Sequence, residues 1–438
     1  MQSRRSLLIG AILAVIAALV AAGLVVIRVR RDEKVLGARA VRVVGGLMER
    51  SGKVEGGRPY VDSVVAPVDW ADLEASDQVF AGPGWSLING LVTDPRGFKL
   101  RLRVYAGRYS PAWAKRLGGP TVSGGGIDCS AGGIAVTLAN NPHGGCVPYF
   151  WSDEFLAQYE ELVREIARRY EGVPAVLEMQ AAGCMTIFAE PFIRAGGDLG
   201  SNTRLFRAGL NETTDRRCHE RMIQIHMNTF SRIRTSYSTH TSWQLVSDPA
   251  IESDGLKSSW SLERQLIDSF RSRYADRLIM MNNGLGETNS CKAGTPETNM
   301  WCWFRSIPQP KGFQTETWKK LGSSSEGIYA TLDNALSMGA CFIELPRGVI
   351  DSENRFPDYD ARLEANCQAP ASPSGAFASA LPVASPIAST PALLPTTTSD
   401  PARAASPSPT VSRTPGPTAT SPKASPSPTN TCFLGIFC

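Results

Sequence analysis

Three glutamates lie within or after short apolar runs of the sequence. Glu316 closes the run GFQTE, Glu344 lies inside a second run, and Glu190 follows a third. Two carboxyl groups on opposite sides of a glycosidic bond can split it, because one protonates the leaving oxygen while the other attacks the anomeric carbon. In the retaining form of this chemistry the two groups stand about 5 Å apart. The elements that hold the glutamates must therefore bring distant parts of the chain together.

Those elements alternate between strands and helices. Seven short runs are predicted to be strands: Val61–Val65, Leu100–Tyr105, Ala175–Gln180, Ser242–Val246, Arg277–Met281, Gly312–Glu316 and Ala340–Leu345, with an eighth within Ala38–Gly46. Amphipathic helices are predicted at Trp151–Tyr170, Asp215–Arg234 and Leu262–Tyr274, and from Ser323 to just before Gly339. This alternation is typical of a parallel sheet covered by helices. Seven or eight such units favour a (β/α)8 barrel of the TIM type. The alternative is a doubly wound open sheet, which usually has a Gly-rich phosphate loop after an early strand, and we find none.

In such a barrel, the active site lies at the C-terminal ends of the strands. Side chains alternate along a strand, so Gln314 and Glu316 share one face and Phe313 shares the other with Thr315. Phe313 suits a helix-facing position, which predicts that Glu316 points into the mouth of the barrel. Glu344, which Ile343 and Leu345 flank within another strand, has two alternatives: it points into the barrel or pairs with Arg347.

Five stretches, in this order along the chain, resemble the large clan of retaining (β/α)8 glycoside hydrolases, and most of all its β-galactosidase-like branch. They are PVDWADLEA (67–75), LRLRVYAGRYSPAW (100–113), YFWSDEFLAQYEELVREIARRYEGVPAV (149–176), FQTET (313–317) and ALSMGACFIELP (335–346). The first is similar to the tryptophan and leucine-glutamate of the second strand, and the last two to strands seven and eight. The resemblance extends from about Tyr60 to Leu345.

The resemblance implies roles for two of the glutamates. In that clan a glutamate after strand four is the general acid/base, and a glutamate that ends strand seven is the nucleophile. By position these are Glu190 and Glu316. The chain departs from the pattern in one place, because the clan usually has asparagine before the acid/base and this chain has Ala189. Glu190 also stands well past its strand, as it does in some members of the branch.

Other side chains are predicted to contact a carbohydrate substrate. Arg103 is positioned to orient a catalytic carboxylate, and Trp113 and Trp318 can stack on sugar rings. The polar strand-end residues complete the set of predicted binding residues: Asn282, Gln314 and Glu344. Plain structural roles are the alternative for each of them. The alternative function is a catalytically inactive barrel that binds polysaccharide at the cell surface.

Charge and composition exclude several other classes. The net charge is only +4, with no basic stripe that interleaves aromatic residues, so nucleic acid is not a predicted partner. The four histidines show no metal-ligand spacing, and no cofactor motif occurs. We therefore predict neither a metal nor a cofactor. The sequence does not indicate an oligomeric state.

The two ends of the chain predict where it works. Leu7–Ile27 is an unbroken apolar run that is long enough to span a bilayer, so residues 1–34 are predicted to be a membrane anchor or uncleaved signal. Residues 35–367 form the predicted barrel. Residues 368–438 form a Pro/Ser/Thr-rich tail that is predicted to be disordered. We expect a single-pass membrane protein with its barrel outside the cell; secretion is the alternative.

Ten cysteines support that location, because disulfides persist in oxidising compartments. Cys129 and Cys146 bracket one Gly-rich loop, and Cys291 and Cys302 bracket another loop, so we predict a disulfide in each pair. Cys184 and Cys341, which lie beside or within predicted strands, are expected to be small apolar core residues.

Overall fold

Eight parallel strands close into a barrel in the computed structural model, which describes residues 44–52, 61–138, 141–189, 199–239, 260–316, 321, 325–346, 349 and 356–368. In chain order the strands are β1 (Gly46–Glu49), β2 (Ser63–Asp69), β3 (Lys99–Tyr105), β4 (Ile134–Leu138), β5 (Asn141–Val147), β6 (Val176–Gln180), β7 (Arg234–Thr239), β8 (Leu278–Leu285), β9 (Lys311–Thr315) and β10 (Phe342–Leu345). β1 pairs with both β2 and β10, which closes the barrel, while β4 and β5 form a separate antiparallel hairpin. The predicted barrel is confirmed, and the open doubly wound sheet is excluded.

Helices follow the strands, as the alternation predicts. They are α1 (Trp70–Leu73), α2 (Gly84–Val92), α3 (Ala112–Lys115), α4 (Asp153–Tyr170), α5 (Leu199–Arg207), α6 (Glu212–Thr229), α7 (Trp260–Tyr274), α8 (Met300–Ser306), α9 (Ser325–Ser337) and α10 (Phe356–Gln368). α4 begins where Ser152 accepts a hydrogen bond from the backbone N–H of Phe155 (3.1 Å). Its apolar face is buried along its whole length, as predicted.

One helix–strand boundary differs from the prediction. The helix predicted for Asp215–Arg234 ends at Thr229, because Phe230 already has extended backbone angles, and Arg234 begins β7. β7 has the sequence RTSYST, which lacks the apolar residues that mark the other strands, yet all six residues are buried. Its polar composition explains why a later run, Ser242–Val246, was predicted instead; that run lies outside the described residues.

The first strand is also shifted, since β1 begins at Gly46, where the predicted run ends. Phe342 fills the lower interior of the barrel together with Met48, Val65 and Met281. A Cβ on Gly312 would lie 2.5 Å from the Phe342 ring, so only glycine fits beside that ring. The interior is therefore packed, and a ligand can approach only from the strand ends.

Above this apolar layer the interior is ionic. Arg101 and Arg103 point inward from β3, and Glu178 and Glu344 point inward from β6 and β10; all four are at most 1% exposed. Arg101 donates to both glutamates, and Arg103 donates to Glu344. A buried charge is tolerated only when it is paired, so these four residues depend on one another.

Four disulfides link the described residues. Cys129–Cys146 and Cys291–Cys302 are confirmed. The expectation that Cys184 and Cys341 are unpaired is wrong: they pair with Cys218 and Cys367. Their Cα atoms lie 5.9 and 4.7 Å from those of their partners, which is disulfide geometry. The fold creates these pairs, because it packs α6 against the segment after β6 and α10 against the start of β10.

No helix among the described residues is both long and apolar enough to cross a bilayer. Leu7–Ile27 lies outside that part of the chain, and so does the tail after Gln368. The membrane anchor, the disordered tail and the domain boundaries at 34 and 367 therefore stay predictions.

Candidate active site

Arg103, on β3, bonds to side chains of three other strands just below the mouth of the barrel. Its Nη1 donates to Oε1 of Gln314 at 2.8 Å, and its Nη2 lies 2.8 and 2.6 Å from the two carboxylate oxygens of Glu344. Its Nε donates to Oε1 of Gln180, which ends β6. The structure thus brings together three residues that the sequence predicted to bind substrate and adds Gln180 to them.

Gln180 extends this network toward Glu190. Its side-chain amide donates to the backbone carbonyl of Ala189 at 2.5 Å. Ala189 is buried and directly precedes Glu190, which lies outside the described residues. The Arg103 network therefore supports the backbone at Ala189, the residue directly before the predicted acid/base.

The segment between Gln180 and Glu190 is fixed at several further points. Nearly all of residues 181–189 are buried, and the backbone N–H of Arg108 donates to the carbonyl of Thr186 at 2.8 Å. Gly107 has a φ of +52°, and any side chain there would collide with the same carbonyl. The Cys184–Cys218 disulfide ties the segment to α6. This long segment is therefore a packed part of the barrel rather than a loose loop.

Glu316 directly follows β9 at the mouth. Its backbone N–H donates to the carbonyl of Leu285 at 2.9 Å, and its side chain is half-buried. A Cβ on Gly286 would lie 3.3 Å from Oε2 of Glu316, so the carboxylate lies beside the end of β8. Gln314 points inward to Arg103, and Glu316 is two residues further along the chain, as the predicted alternation requires.

Arg50, which the sequence analysis missed, holds the chain next to Glu316. It follows β1, is 2% exposed, and its Nη1 donates to the carbonyl of Thr315 at 2.6 Å. Burial lowers the pKa of Arg50 to about 10, an effect that the nearby Glu344 charge opposes. The sequence signal that could have indicated its role is an arginine directly after a short strand, two residues after Met48.

Glu344 is held as a carboxylate. Its complete burial favours the neutral acid, but the charges and hydrogen bonds of Arg103 and Arg101 outweigh that effect and lower its pKa. With 0% exposure and both oxygens bonded to Arg103, Glu344 lies beneath the mouth. It can therefore act on a substrate through Arg103.

Asn282 and Trp113, which were also predicted to bind substrate, make other contacts. Asn282 faces the outer helices, because its amide donates to Thr239 at 3.0 Å and lies 3.4 Å from the sulfur of Met300 in α8. Trp113 packs edge-on against Trp70, with ring centroids 6.0 Å apart. Trp318 lies outside the described residues. The structure therefore does not bring Asn282 together with Arg103, Gln314 and Glu316.

A surface groove of about 360 Å³ lies away from the mouth, between α6 and α7. Arg217 and Arg221 line it, and they form ion pairs with Asp153 and Glu160. Such paired, exposed side chains are typical of a solvated helix face.

No protein-family model matches the chain, and neither does any curated protein sequence. Among solved structures, the chain is similar to the catalytic domain of a β-amylase from Paenibacillus polymyxa, with 11% identity and a TM-score of 0.43 over 74% of this chain and 99% of that one. It is also similar to a cold-adapted β-galactosidase from Rahnella sp. R3, with 10% identity and a TM-score of 0.40 over 74% of this chain and 57% of that one.

A third similar structure is endo-glycoceramidase II from Rhodococcus sp., with 13% identity and a TM-score of 0.38 over 70% of this chain and 74% of that one. The strand pairing itself establishes the closed eight-stranded barrel.

Proposed function

We propose that the protein is a glycoside hydrolase that works by a two-glutamate retaining mechanism. One observation supports this most strongly: Arg103 is bonded both to Gln314, two residues before Glu316, and to Gln180, which holds Ala189 next to Glu190. A single buried group thereby sets the positions of two chain segments that are more than a hundred residues apart. Such rigid support is what a pair of catalytic carboxylates requires.

In the first half of the reaction, Glu316 attacks the anomeric carbon as a carboxylate. Glu190 gives its proton to the glycosidic oxygen, so the leaving group departs as an alcohol and a covalent glycosyl–enzyme ester forms. In the second half, the Glu190 carboxylate takes a proton from water, and the resulting nucleophile attacks the same carbon. The ester bond to Glu316 breaks, and both glutamates return to their starting forms.

The buried charges below the mouth support these steps. Arg103 is fixed by Glu344, so it can hold Gln180 and Gln314 in place without having to reorganise during the reaction. Arg50 and Arg103 place positive charge near the end of β9, through their hydrogen bonds to Thr315 and Gln314. Glu344 acts in this scheme as a positioning residue, and Gln314 lies close enough to contact substrate.

We further propose a carbohydrate substrate outside the cell. Four disulfides fit an oxidising compartment. The apolar run Leu7–Ile27 would anchor the barrel to a membrane, and the Pro/Ser/Thr-rich tail would act as a spacer. Secretion is the alternative.

A second function is a barrel that binds polysaccharide without cleaving it. The alanine at position 189 favours it, since the clan that the sequence resembles usually has asparagine there to hold a substrate hydroxyl. Without that amide the transition state loses one hydrogen bond. Binding without turnover would then be the surviving activity.

The test is a screen of the full chain against aryl-glycosides of the common neutral sugars, followed by Glu316→Gln on any substrate that is cleaved. We expect turnover to be abolished while sugar binding persists, because the amide keeps the size of the carboxylate and cannot act as a nucleophile. Glu287→Gln is the matched control, since Glu287 is exposed in the loop after β8. Full activity of Glu316→Gln would refute the assignment, and absence of turnover together with polysaccharide binding would favour the second function.

A further inference from the structure

Asp69, the last residue of β2, lies at the mouth without a structural task. Val65, four residues earlier, packs inside the barrel, so the alternation along β2 turns Asp69 inward as well. Asp69 is in register with Tyr105 of β3, and Tyr105 lies near Arg50. Asp69 therefore belongs to the same mouth as Arg103 and Glu316.

The position of Asp69 also suits a helix cap, yet its side chain does not cap. It is the N-cap residue of α1, but no backbone N–H of that helix donates to its carboxylate. None of the hydrogen bonds among the described residues includes this side chain. A half-buried carboxyl group that the protein leaves without a donor needs water or a ligand as its partner.

Tyr109 lies near Asp69, and its hydroxyl is a second polar group of interest. Its ring packs 5.4 Å from that of Tyr105, and the guanidinium of Arg108 lies 4.7 Å above it. The hydroxyl of Tyr109 is buried and finds no hydrogen-bond partner among the described residues. Tyr105 and Arg108 thus hold the ring, while its O–H group has no partner among the described residues.

Charges around Asp69 come from each element that packs on it. Asp72 in α1 is the negative neighbour, while Arg108 and Lys115 are the positive ones. Burial is the largest effect and raises the pKa of Asp69 to about 7, with Asp72 adding to the rise and the two cations opposing it. Burial likewise lowers the pKa of Lys115 to about 8. The two carboxyl groups, of Asp69 and Asp72, nearly balance the charges of Arg108 and Lys115. The site therefore has no net charge that would favour an ionic ligand.

We propose that Asp69 and Tyr109 form a subsite for a neutral, hydroxyl-rich sugar unit next to the one that is cleaved. Sugar hydroxyls both donate and accept hydrogen bonds, so one can donate to the Asp69 carboxylate while another accepts from the Tyr109 hydroxyl. The inference rests on the proposed function only for the identity of the neighbouring unit. The subsite makes the protein prefer chains over single sugars.

The subsite predicts a pH dependence of binding. Hydrogen bonds to an ionised carboxylate are stronger than those to a neutral acid, so affinity for a sugar chain rises as the pH rises through about 7. Asp69→Asn has no charge to gain, and its affinity stays flat over the same range.

The experiment measures calorimetric binding of cellotetraose, β-1,4-galactotetraose and xylotetraose to the Glu316→Gln chain, with and without a second change. We expect Asp69→Asn and Tyr109→Phe each to weaken binding of at least one tetraose by about tenfold. Neither change should lower the midpoint of thermal unfolding, because neither group has a protein partner to lose. Asp77→Asn is the control, since Asp77 is exposed on the loop after α1.

The outcomes separate the two proposals. Equal affinity of the Asp69→Asn and Asp77→Asn chains for every tetraose, or no binding of any tetraose, overturns the subsite whether or not aryl-glycosides are hydrolysed. Loss of stability in Tyr109→Phe without loss of affinity also overturns it. Asp69-dependent binding without any turnover supports the subsite and counts against the hydrolase.

Discussion

Nη2 of Arg103 lies 2.8 Å from one carboxylate oxygen of Glu344 and 2.6 Å from the other, inside a barrel that excludes water from both side chains. Both charges have been removed from water, so each is stable only because it is paired. The Arg103–Glu344 pair also positions residues at the mouth. Glu344 fixes Arg103 from below, and the Nε and Nη1 atoms of the guanidinium donate to Gln180 and Gln314 at the strand ends.

Replacing Arg103 by methionine should therefore impair both stability and activity. Glu344 keeps Arg101 as a partner but loses Arg103, and two amides lose their donor, so we expect the free energy of unfolding to fall by about 3 kcal/mol. Arg103→Lys retains the charge and recovers part of the stability, but it cannot bond three groups at once. Its kcat should stay about a hundredfold below that of the unmodified protein. Denaturant titration and kinetics at matched folded fractions measure the two effects.

Arg96→Met is the matched control. Arg96 forms an exposed ion pair with Asp94, and such pairs contribute less than about 1 kcal/mol. Equal kcat values for Arg103→Lys and the unmodified protein would show that the Arg103 network contributes to stability only.

The acid/base assignment has its own signature. Glu190→Gln should slow hydrolysis of substrates with poor leaving groups by a factor of about a thousand, while activated aryl-glycosides lose far less, because only a poor leaving group needs a proton. The measurement is kcat/KM across a series of aryl-glycosides of increasing phenol pKa. A uniform loss across the series would contradict the role of Glu190 as the proton donor.

The Cys184–Cys218 disulfide should matter for activity as well as for stability. It closes a loop of 34 residues, so replacing both cysteines by alanine should cost about 4 kcal/mol in the entropic account of disulfides. Because Cys184 lies in the segment that leads to Glu190, we also expect slower hydrolysis of poor leaving groups. Thermal unfolding and the same aryl-glycoside series report the two effects.

The matched control replaces Cys129 and Cys146 by alanine. Their disulfide closes a loop of 17 residues near the β4–β5 hairpin. It should cost about 3 kcal/mol and leave the dependence on leaving group unchanged. If both double variants change that dependence equally, the Cys184 segment has no special link to the acid/base.

A buried histidine makes stability depend on pH. His226 is completely buried, its Nε2 lies 2.9 Å from the hydroxyl of Tyr159, and burial lowers its pKa to about 3. The unfolded chain takes up a proton at this residue below about pH 6.5, whereas the folded chain does not. The stability contribution is therefore complete above about pH 6.5 and falls by roughly 1 kcal/mol per pH unit down to about pH 3.

The measurement is the free energy of urea unfolding between pH 7 and pH 4 for the unmodified chain and for His226→Gln. The variant should be less stable at pH 7, because it disturbs the contact with Tyr159, but its disadvantage should shrink as the pH falls. Parallel pH curves for the two chains would show that His226 does not titrate on unfolding.

The sequence predicted those features that depend on local pattern. Alternating apolar runs and amphipathic helices are encoded in neighbouring residues, so the barrel and most of its strands could be predicted, and so could two disulfides that close short loops. β7 was not predicted, because its polar sequence lacks the apolar strand pattern. The strand is stable because neighbouring strands and α6 bury it.

The sequence by itself predicted that Gln314 and Glu316 point to the same side of the chain, because alternation is a property of a single extended segment. The tertiary structure alone decided what that face meets: Arg103 from β3, Glu344 from β10 and the carbonyl of Ala189 through Gln180. It also decided the Cys184–Cys218 pair and turned Asn282 outward. These contacts join residues far apart in the chain, and their energies depend on burial, which exists only after the barrel has closed.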